Sequence, residues 1–183
     1  ELLATSTTTD ITCYGFNDGT ATLTLSGGTG ILTVDWFGMN PNALPPGTHP
    51  YTVTDINGCQ FSDDVTINEP AELLATSTTT DITCYGFNDG TAILILSGGT
   101  GTLIVDWFGM NPSALSPGTH NYIVTDINGC PPFNGSVNII EPADISVIET
   151  ITDVTCNSGN NGTAILTLSG GTGTLIVDWF GIN

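Results

Sequence analysis

Polar and apolar residues alternate with a period of two along several short stretches of the chain. Such stretches lie at residues 20–25, 32–36, 51–54 and 65–67. This period is typical of strands with one buried face, and the many Thr, Val and Ile residues favour strands as well. No stretch has the 3.6-residue period of an amphipathic helix. The pattern therefore predicts an all-β protein.

Turn sequences separate these stretches at regular intervals. They are Asn-Asp-Gly at 17–19, Ser-Gly-Gly-Thr-Gly at 26–30, Pro-Pro-Gly at 45–47 and Asn-Gly at 57–58. Asn-Gly between alternating runs is a strong hairpin signal. Five to seven short strands in about 70 residues predict a small antiparallel β-sandwich of immunoglobulin-like type. The predicted core comprises Ala21, Leu23, Leu25, Leu32, Val34, Trp36, Tyr51 and Val53, with Leu44 closing one end.

The chain is a tandem array. Residues 1–21 recur unchanged at 72–92, and a more divergent third copy follows Pro142-Ala143. Glu-Pro-Ala occurs at 69–71 and again at 141–143, where Pro interrupts strand pairing. We therefore predict β-sandwich repeats at 1–71 and 72–143, and the N-terminal part of a truncated third repeat at 144–183.

Charge excludes several classes of partner. The 183 residues include 18 Asp plus Glu but no Lys or Arg, which gives a formal net charge of −18. Such a chain cannot neutralise phosphates, so we expect no nucleic-acid partner. The longest apolar run is far shorter than the roughly 20 residues of a membrane span, so we expect no membrane insertion. Every carboxylate must be solvated, hydrogen-bonded or bound to a cation.

Cysteine spacing predicts one disulfide in each complete repeat. Cys13 and Cys59 are 46 residues apart, and so are Cys84 and Cys130. The alternative bridge, Cys59–Cys84, would join neighbouring repeats and would require the chain to double back. We expect the partner of Cys156 to lie beyond Asn183. Paired cysteines in a small β-domain indicate an oxidising, extracellular setting.

Two oxygen-rich loops flank each predicted disulfide, and calcium is the cofactor that they suggest. Hard cations take six to eight oxygen ligands. The same residue types are also ordinary turn formers, and no closely spaced run of acidic ligands is present. The predicted calcium ligands are Asn17, Asp18, Asp55 and Asn57 in the first repeat, and Asn88, Asp89, Asp126 and Asn128 in the second.

Hydroxyl and amide side chains offer sites for glycans. Threonine triplets precede the first cysteine of two repeats, and two Asn-x-Ser/Thr sequons follow later in the chain. Strand propensity is the alternative reason for the threonines. The predicted glycosylation sites are Thr7, Thr8, Thr9, Thr78, Thr79, Thr80, Asn134 and Asn161.

The first two repeats differ at outward-facing strand positions. Thr22, Thr24, Thr33 and Thr52 of the first repeat are replaced by Ile93, Ile95, Ile104 and Ile123 of the second. Four changes from polar to apolar on one face predict a contact surface, because apolar patches are seldom left in water. We expect these four isoleucines to be buried against another repeat or another chain.

Enzymatic chemistry has little support in the sequence. The two His residues, His49 and His120, occupy equivalent turns with no nucleophile beside them, so we expect solvated turn residues and no enzyme. Carbohydrate binding through Trp36, Trp107 and Trp179 is an alternative function, although their alternation with apolar residues favours core positions. A spacer in a larger secreted protein is a second alternative.

Four motifs occur in a fixed order. They are Asp-Ile-Thr-Cys-x4-Asp-Gly-Thr-Ala, Ser-Gly-Gly-Thr, Pro-Gly-Thr-x2-Tyr-x-Val-Thr-Asp-x-Asn-Gly-Cys and Ile-x-Glu-Pro. In this order they resemble the SprB-type repeats of gliding-motility adhesins. The resemblance implies an immunoglobulin-like sandwich, type IX secretion and display on the cell surface. Together with the repeats, it predicts a structural segment of an extracellular filament or adhesin stalk that self-associates into a linear polymer and carries or contacts surface glycans.

Overall fold

Short antiparallel strands joined by tight turns make up the chain. A computed structural model describes residues 1–180. Contacts divide them into two compact units. The first comprises Glu1–Thr76, Ile95–Asp106 and Ile123–Gly135, and the second comprises Ser77–Leu94, Trp107–Tyr122 and the described part of Ser136–Asn183.

Twelve strands occur in the described residues, and no helix does. The all-β prediction is confirmed. The described part of the chain accordingly contains no helix with the length and hydropathy of a membrane span. The strands are β1 (Leu3–Thr9), β2 (Thr20–Ser26), β3 (Thr33–Asp35), β4 (Gly47–Thr54), β5 (Gln60–Ile67), β6 (Leu74–Thr80), β7 (Thr91–Ser97), β8 (Leu103–Asp106), β9 (Gly118–Asp126), β10 (Phe133–Ile139), β11 (Ser146–Thr152) and β12 (Thr163–Ser169).

Each of the first two repeats contributes a two-stranded and a three-stranded sheet. The orders are β1-β2 and β3-β4-β5 in the first repeat, and β6-β7 and β10-β9-β8 in the second. The third repeat contributes β11-β12. In the β4–β5 hairpin, Gly47 pairs with Ile67 and Thr54 pairs with Gln60, so the predicted Asn57-Gly58 turn connects these strands.

The core of the first repeat follows the alternation of β4 and β5. Tyr51, Val53, Val65 and Ile67 point inward and are buried. Leu44 is fully buried, as predicted, where it forms an isolated bridge with Gly19. Leu2, Ile11 and Ala21 complete the buried cluster, and Leu23, Leu25, Leu32 and Trp36 pack against it.

One predicted core residue is exposed, and several core residues were missed. Val34 is exposed because β3 is a three-residue edge strand with a neighbour on one side only. The predicted core omitted Leu2 and Ile11, which lie outside the alternating stretches, and Val65 and Ile67, the two apolar residues of the stretch at 65–67.

The predicted disulfides Cys13–Cys59 and Cys84–Cys130 are wrong. The structure has one disulfide in its described residues, Cys13–Cys130, while Cys59, Cys84 and Cys156 are exposed thiols. The bridge spans 117 residues and connects the first repeat to the second.

Strand direction is the physical reason for this difference. Cys13 follows β1 near the end of β5, where Ile11 N donates to Asn68 O at 3.0 Å. Cys59 directly precedes β5, so the eight residues of that strand separate it from the end at which Cys13 lies. A strand of eight residues is about 27 Å long, whereas a disulfide needs Cα atoms about 5.5 Å apart.

The first repeat therefore has two ends with different chemistry. We call one the Glu-Pro end, which holds Cys13, Gly15, Asn68 and Glu69. The opposite one is the Gly-Gly-Thr end, which holds Gly28, Thr29, Asp55 and Cys59. The corresponding residues of the other repeats carry the same names below.

Candidate functional site at the junction of two repeats

The Gly-Gly-Thr end of the first repeat is organised by one carboxylate. Asp55 Oδ1 accepts hydrogen bonds from Asn57 N and Cys59 N, both at 2.9 Å, and Oδ2 accepts one from Thr29 N at 3.0 Å. The hydrogen bond from Cys59 N is the largest of the effects that lower the pKa of Asp55. A chain without Lys or Arg thus satisfies this buried carboxylate with backbone amides.

The second repeat reproduces this arrangement around Asp126. Its Oδ1 accepts Cys130 N at 2.9 Å, and its Oδ2 accepts Thr100 N at 3.1 Å and Thr100 Oγ1 at 2.9 Å. Asn128 Nδ2 donates to the same threonine hydroxyl at 3.0 Å. The pKa of Asp126 is lowered, chiefly by the bond from Cys130 N.

Glycine permits the turn that presents Thr100. Gly98 has φ +70°, and a Cβ on it would lie 1.8 Å from Glu72 O. No side chain fits there, and a left-handed backbone disfavours every residue with a Cβ. Gly99 also has a left-handed backbone, with φ +66°, so both glycines of the Ser-Gly-Gly-Thr motif are explained.

Carboxylates also organise the Glu-Pro ends. Glu69 Oε1 accepts Gly15 N at 2.6 Å, and Glu141 Oε1 accepts Gly86 N at the same distance. Asp18 accepts both the amide and the hydroxyl of Thr12. The hydroxyl bond is the main cause of the lowered pKa of Asp18, and Asp89 has the same relation to Thr83.

The disulfide joins the Glu-Pro end of the first repeat to the Gly-Gly-Thr end of the second. Its sulfurs are 2.08 Å apart and the Cα atoms 5.3 Å apart. Cys13 is 3% exposed and Cys130 is 8% exposed. Cys130 Sγ lies 3.5 Å from Thr12 O and 3.5 Å from Thr100 Oγ1. A shallow cleft beside the bridge is lined by residues of both repeats, among them Tyr14, Pro70, Glu72, Pro131 and Phe133.

The structure does not bring together the two halves of the predicted calcium site. Asp18 lies with Thr12 at the Glu-Pro end of the first repeat, whereas Asp55 lies at its Gly-Gly-Thr end. Their proposed proximity rested on the Cys13–Cys59 disulfide, which does not form. Among residues 1–180, no three His, Cys, Asp or Glu side chains come together as ligands. Calcium binding by Asn17, Asn57, Asn88, Asp89, Asp126 and Asn128 stays a prediction.

Both histidines are buried, contrary to the expectation of solvated turns. His49 is 5% exposed and His120 is 8% exposed. Because each Nε2 faces a carbonyl oxygen, it is the donor: His49 to Pro45 O at 2.7 Å, and His120 to Ser116 O at 2.8 Å. The imidazoles therefore close the turn before β4 and β9.

Tryptophan packs into the first two repeats. The rings of Trp36 and Tyr51 have centroids 5.1 Å apart, and those of Trp107 and Tyr122 are 4.9 Å apart. These contacts favour core roles over carbohydrate binding. In the third repeat, Trp179 is 47% exposed.

The four predicted contact isoleucines lie in two different sheets. Ile93 and Ile95 are on β7 of the two-stranded sheet, whereas Ile104 and Ile123 are on β8 and β9 of the three-stranded sheet. The prediction that the four isoleucines share one face was therefore wrong. Within the chain, Ile93 and Ile95 are 64% exposed and Ile104 is 54% exposed. Their burial in an assembly stays a prediction.

The predicted glycosylation sites lie at the surface. The threonine triplets on β1 and β6 are exposed, as are Asn134 and Asn161. Asn161 Nδ2, the atom that would carry a glycan, donates to Thr155 Oγ1 at 2.9 Å, and Oδ1 accepts Thr155 N. Asn161 thus performs the turn-closing role of Asp18 and Asp89.

Sequence reasoning missed Thr12, Thr100 and Glu69 as parts of the junction. One signal was present in the predicted strands. Three antiparallel strands separate Cys13 from Cys59, and an odd number of strands places two points at opposite ends of a fold. The strand count was thus a sufficient argument against the bridge within one repeat.

Comparison with known proteins identifies repeats of one family. The SprB repeat matches at residues 5–36, 76–102 and 148–174, together nearly half of the chain. SprB repeats occur in surface adhesins, and the disulfide fits a secreted protein. No catalytic domain was detected. No curated protein and no solved structure gave a significant match.

Proposed function

Because the chain carries three SprB repeats, we propose that it is a structural segment of an extracellular filament or adhesin stalk at the cell surface. The observation that carries the proposal is the covalent junction between consecutive repeats. A disulfide between repeats limits their independent movement, which suits a shaft more than a row of separate binding modules. The segment has no catalytic role in this proposal.

An immunoglobulin-like sandwich is the proposed form of each complete repeat. The pairing of a two-stranded with a three-stranded sheet supports it, as does the buried cluster contributed by strands of both sheets in the first repeat. This arrangement gives each repeat a core and leaves both ends for its neighbours.

Self-association through the isoleucines of the second repeat is part of the proposal. Ile93 and Ile95 expose most of their side chains, where the first repeat has Thr22 and Thr24. Burying one Ile side chain is worth roughly 1.5–3 kcal/mol, so covering both side chains with a second copy of the chain would favour association.

Electron microscopy tests the main proposal. Antibodies against this chain should label negatively stained native filaments along their length. Labelling confined to filament tips, or found only on separate soluble particles, would favour a surface-binding module or a spacer of a larger secreted protein.

Sedimentation velocity tests the self-association surface. The double variant Ile93→Thr, Ile95→Thr should reduce the average mass of the purified chain at a fixed concentration. Thr22→Ile with Thr24→Ile is the matched control that adds the same side chains to the first repeat. Unchanged mass in the first variant would remove these isoleucines from the proposal.

A further inference from the structure

The two copies of the first cysteine have identical sequence surroundings but different environments. Residues 1–21 and 72–92 are the same, yet Cys13 is bonded and buried whereas Cys84 is an exposed thiol. Local sequence cannot cause the difference. It arises from what lies against each cysteine.

At Cys13, the neighbour is the Gly-Gly-Thr end of the second repeat. Gly99 N donates to Ala71 O at 2.9 Å, which holds the Gly-Gly-Thr loop against the linker. Cys130 Sγ then lies 3.5 Å from Thr12 O, the carbonyl next to Cys13, and 3.5 Å from Thr100 Oγ1.

The hydrogen bond between loop and linker recurs between the second and third repeats. Gly171 N donates to Ala143 O at 2.8 Å, so the third Gly-Gly-Thr loop meets its linker in the same way. Thr172 Oγ1 donates to Thr83 O at 3.1 Å. Thr172 corresponds to Thr100, and Thr83 corresponds to Thr12. The third repeat thus places the equivalent threonine beside the residue before Cys84.

We propose that SprB repeats in this chain are joined by staggered disulfides, in which the first cysteine of each repeat bonds to the second cysteine of the following copy. Cys84 is the attachment point for the second cysteine of a complete third copy. Cys59 is the attachment point for the first cysteine of a copy placed before it. The linkage is independent of filament formation, because it depends only on contacts between neighbouring repeats.

The chemistry is thiol–disulfide exchange. Two cysteine thiols lose two protons and two electrons as the sulfur–sulfur bond forms. A disulfide oxidant, such as glutathione disulfide, accepts them and is reduced to two thiol molecules.

The test is an extended chain in which a second copy of residues 112–143 follows Asn183 and completes the third repeat. After oxidation with glutathione disulfide, the protein is digested with pepsin at acid pH, because trypsin finds no Lys or Arg and acid suppresses exchange. We expect a peptide joining Cys84 to the added cysteine, together with the Cys13–Cys130 peptide. The added thiol and the new bridge should change the free thiols from the three of the present chain to two.

Matched variants define the alternatives. Cys84→Ser should leave the added cysteine free, whereas Cys156→Ser should leave the new bridge intact. A bridge from the added cysteine to Cys156, a Cys59–Cys84 bridge, or a free Cys84 thiol would overturn the proposal.

A second measurement uses the chain at its present length. Thr172→Cys places a sulfur where Thr172 Oγ1 now contacts Thr83 O, and it should form a disulfide with Cys84 on oxidation. Thr174→Cys, two residues along the same loop, should not. Failure of Thr172→Cys to crosslink would show that the third Gly-Gly-Thr loop does not lie beside Cys84.

Discussion

The loops that contain Cys59 and Cys130 have nearly identical sequences but lie in different environments. Both read Asp-Ile-Asn-Gly-Cys, and both fold around an aspartate that accepts backbone amides. Cys130 is nevertheless buried in a disulfide, while Cys59 is exposed. The carboxylate network thus shapes the loop by itself, and the neighbouring repeat determines whether its cysteine is bonded.

The largest expected change in the free energy of unfolding comes from removing the disulfide that distinguishes the two loops. The double variant Cys13→Ser, Cys130→Ser removes a bridge spanning 117 residues. By constraining the unfolded chain, this bridge stabilises the folded state by about 5 kcal/mol. Guanidinium unfolding should show a loss of this order. Cys59→Ser with Cys84→Ser removes two exposed thiols and should change the free energy of unfolding by less than about 0.5 kcal/mol. Equal losses in the two variants would contradict the assignment.

A smaller effect tests the turn that presents Thr100 to Asp126. Gly98→Ala adds a Cβ 1.8 Å from Glu72 O at φ +70°, and we expect destabilisation of about 3 kcal/mol. Gly109 is the control, since its φ is +81° but no atom lies within 4 Å of a Cβ there. Gly109→Ala should cost only the backbone term, about 1 kcal/mol. Equal melting temperatures for the two variants would exclude the close approach.

Acid should weaken both loops alike. Asp55 and Asp126 have folded-state pKa values below the unfolded value of about 3.9, so the unfolded chain binds more protons across this interval. Their contribution is complete above the unfolded pKa and is lost as the pH falls through the folded pKa. The melting temperature should therefore decrease as the pH is lowered below about 4, whether or not the disulfide is reduced.

Substitution distinguishes the contribution of these two carboxylates to the acid dependence of stability from that of the other acidic residues. Asp55→Asn and Asp126→Asn should each make the acid dependence of the melting temperature shallower. Asp64→Asn, at an exposed position of β5, is the control and should leave the slope contributed by the two loops unchanged. An unaltered slope in Asp55→Asn and Asp126→Asn would show that other groups dominate.

The smallest expected effect compares the strands that lead into the two loops. Tyr51 of β4 is 1% exposed, and in the described residues its Oη is the buried side-chain atom without a hydrogen-bond partner. Burial raises its pKa, and Asp63 and Asp64 add to the shift. Tyr51→Phe removes the unsatisfied hydroxyl and should stabilise the fold by up to about 1 kcal/mol. Tyr122→Phe, at the equivalent position of β9, is the matched variant and should gain less in thermal unfolding.

Much of the local structure was predictable from the sequence, whereas the connections between repeats were not. Alternation of Tyr51 and Val53 predicted β4, and Asn57-Gly58 predicted the hairpin that follows, because both depend on neighbouring residues. The disulfide depends on which ends of two repeats meet. Equal spacing of Cys13–Cys59 and Cys84–Cys130 carried no information about that.

Buried polar residues were predicted less well for a related reason. His49 and Asp55 read as turn residues, but each satisfies backbone groups inside its repeat. Composition alone required the 18 carboxylates to find partners other than Lys or Arg. It did not identify the amides of Thr29, Cys59 and Gly15 as those partners.

The position of the disulfide also determines how the chain can respond to tension. A pull on the two termini passes through the sulfur–sulfur bond and bypasses the residues between Cys13 and Cys130. Those residues can lose their fold without lengthening the molecule, which withholds about 400 Å of extended backbone at 3.4 Å per residue. Reduction of one bond would release that length, so oxidation sets how far this part of the molecule can stretch under tension.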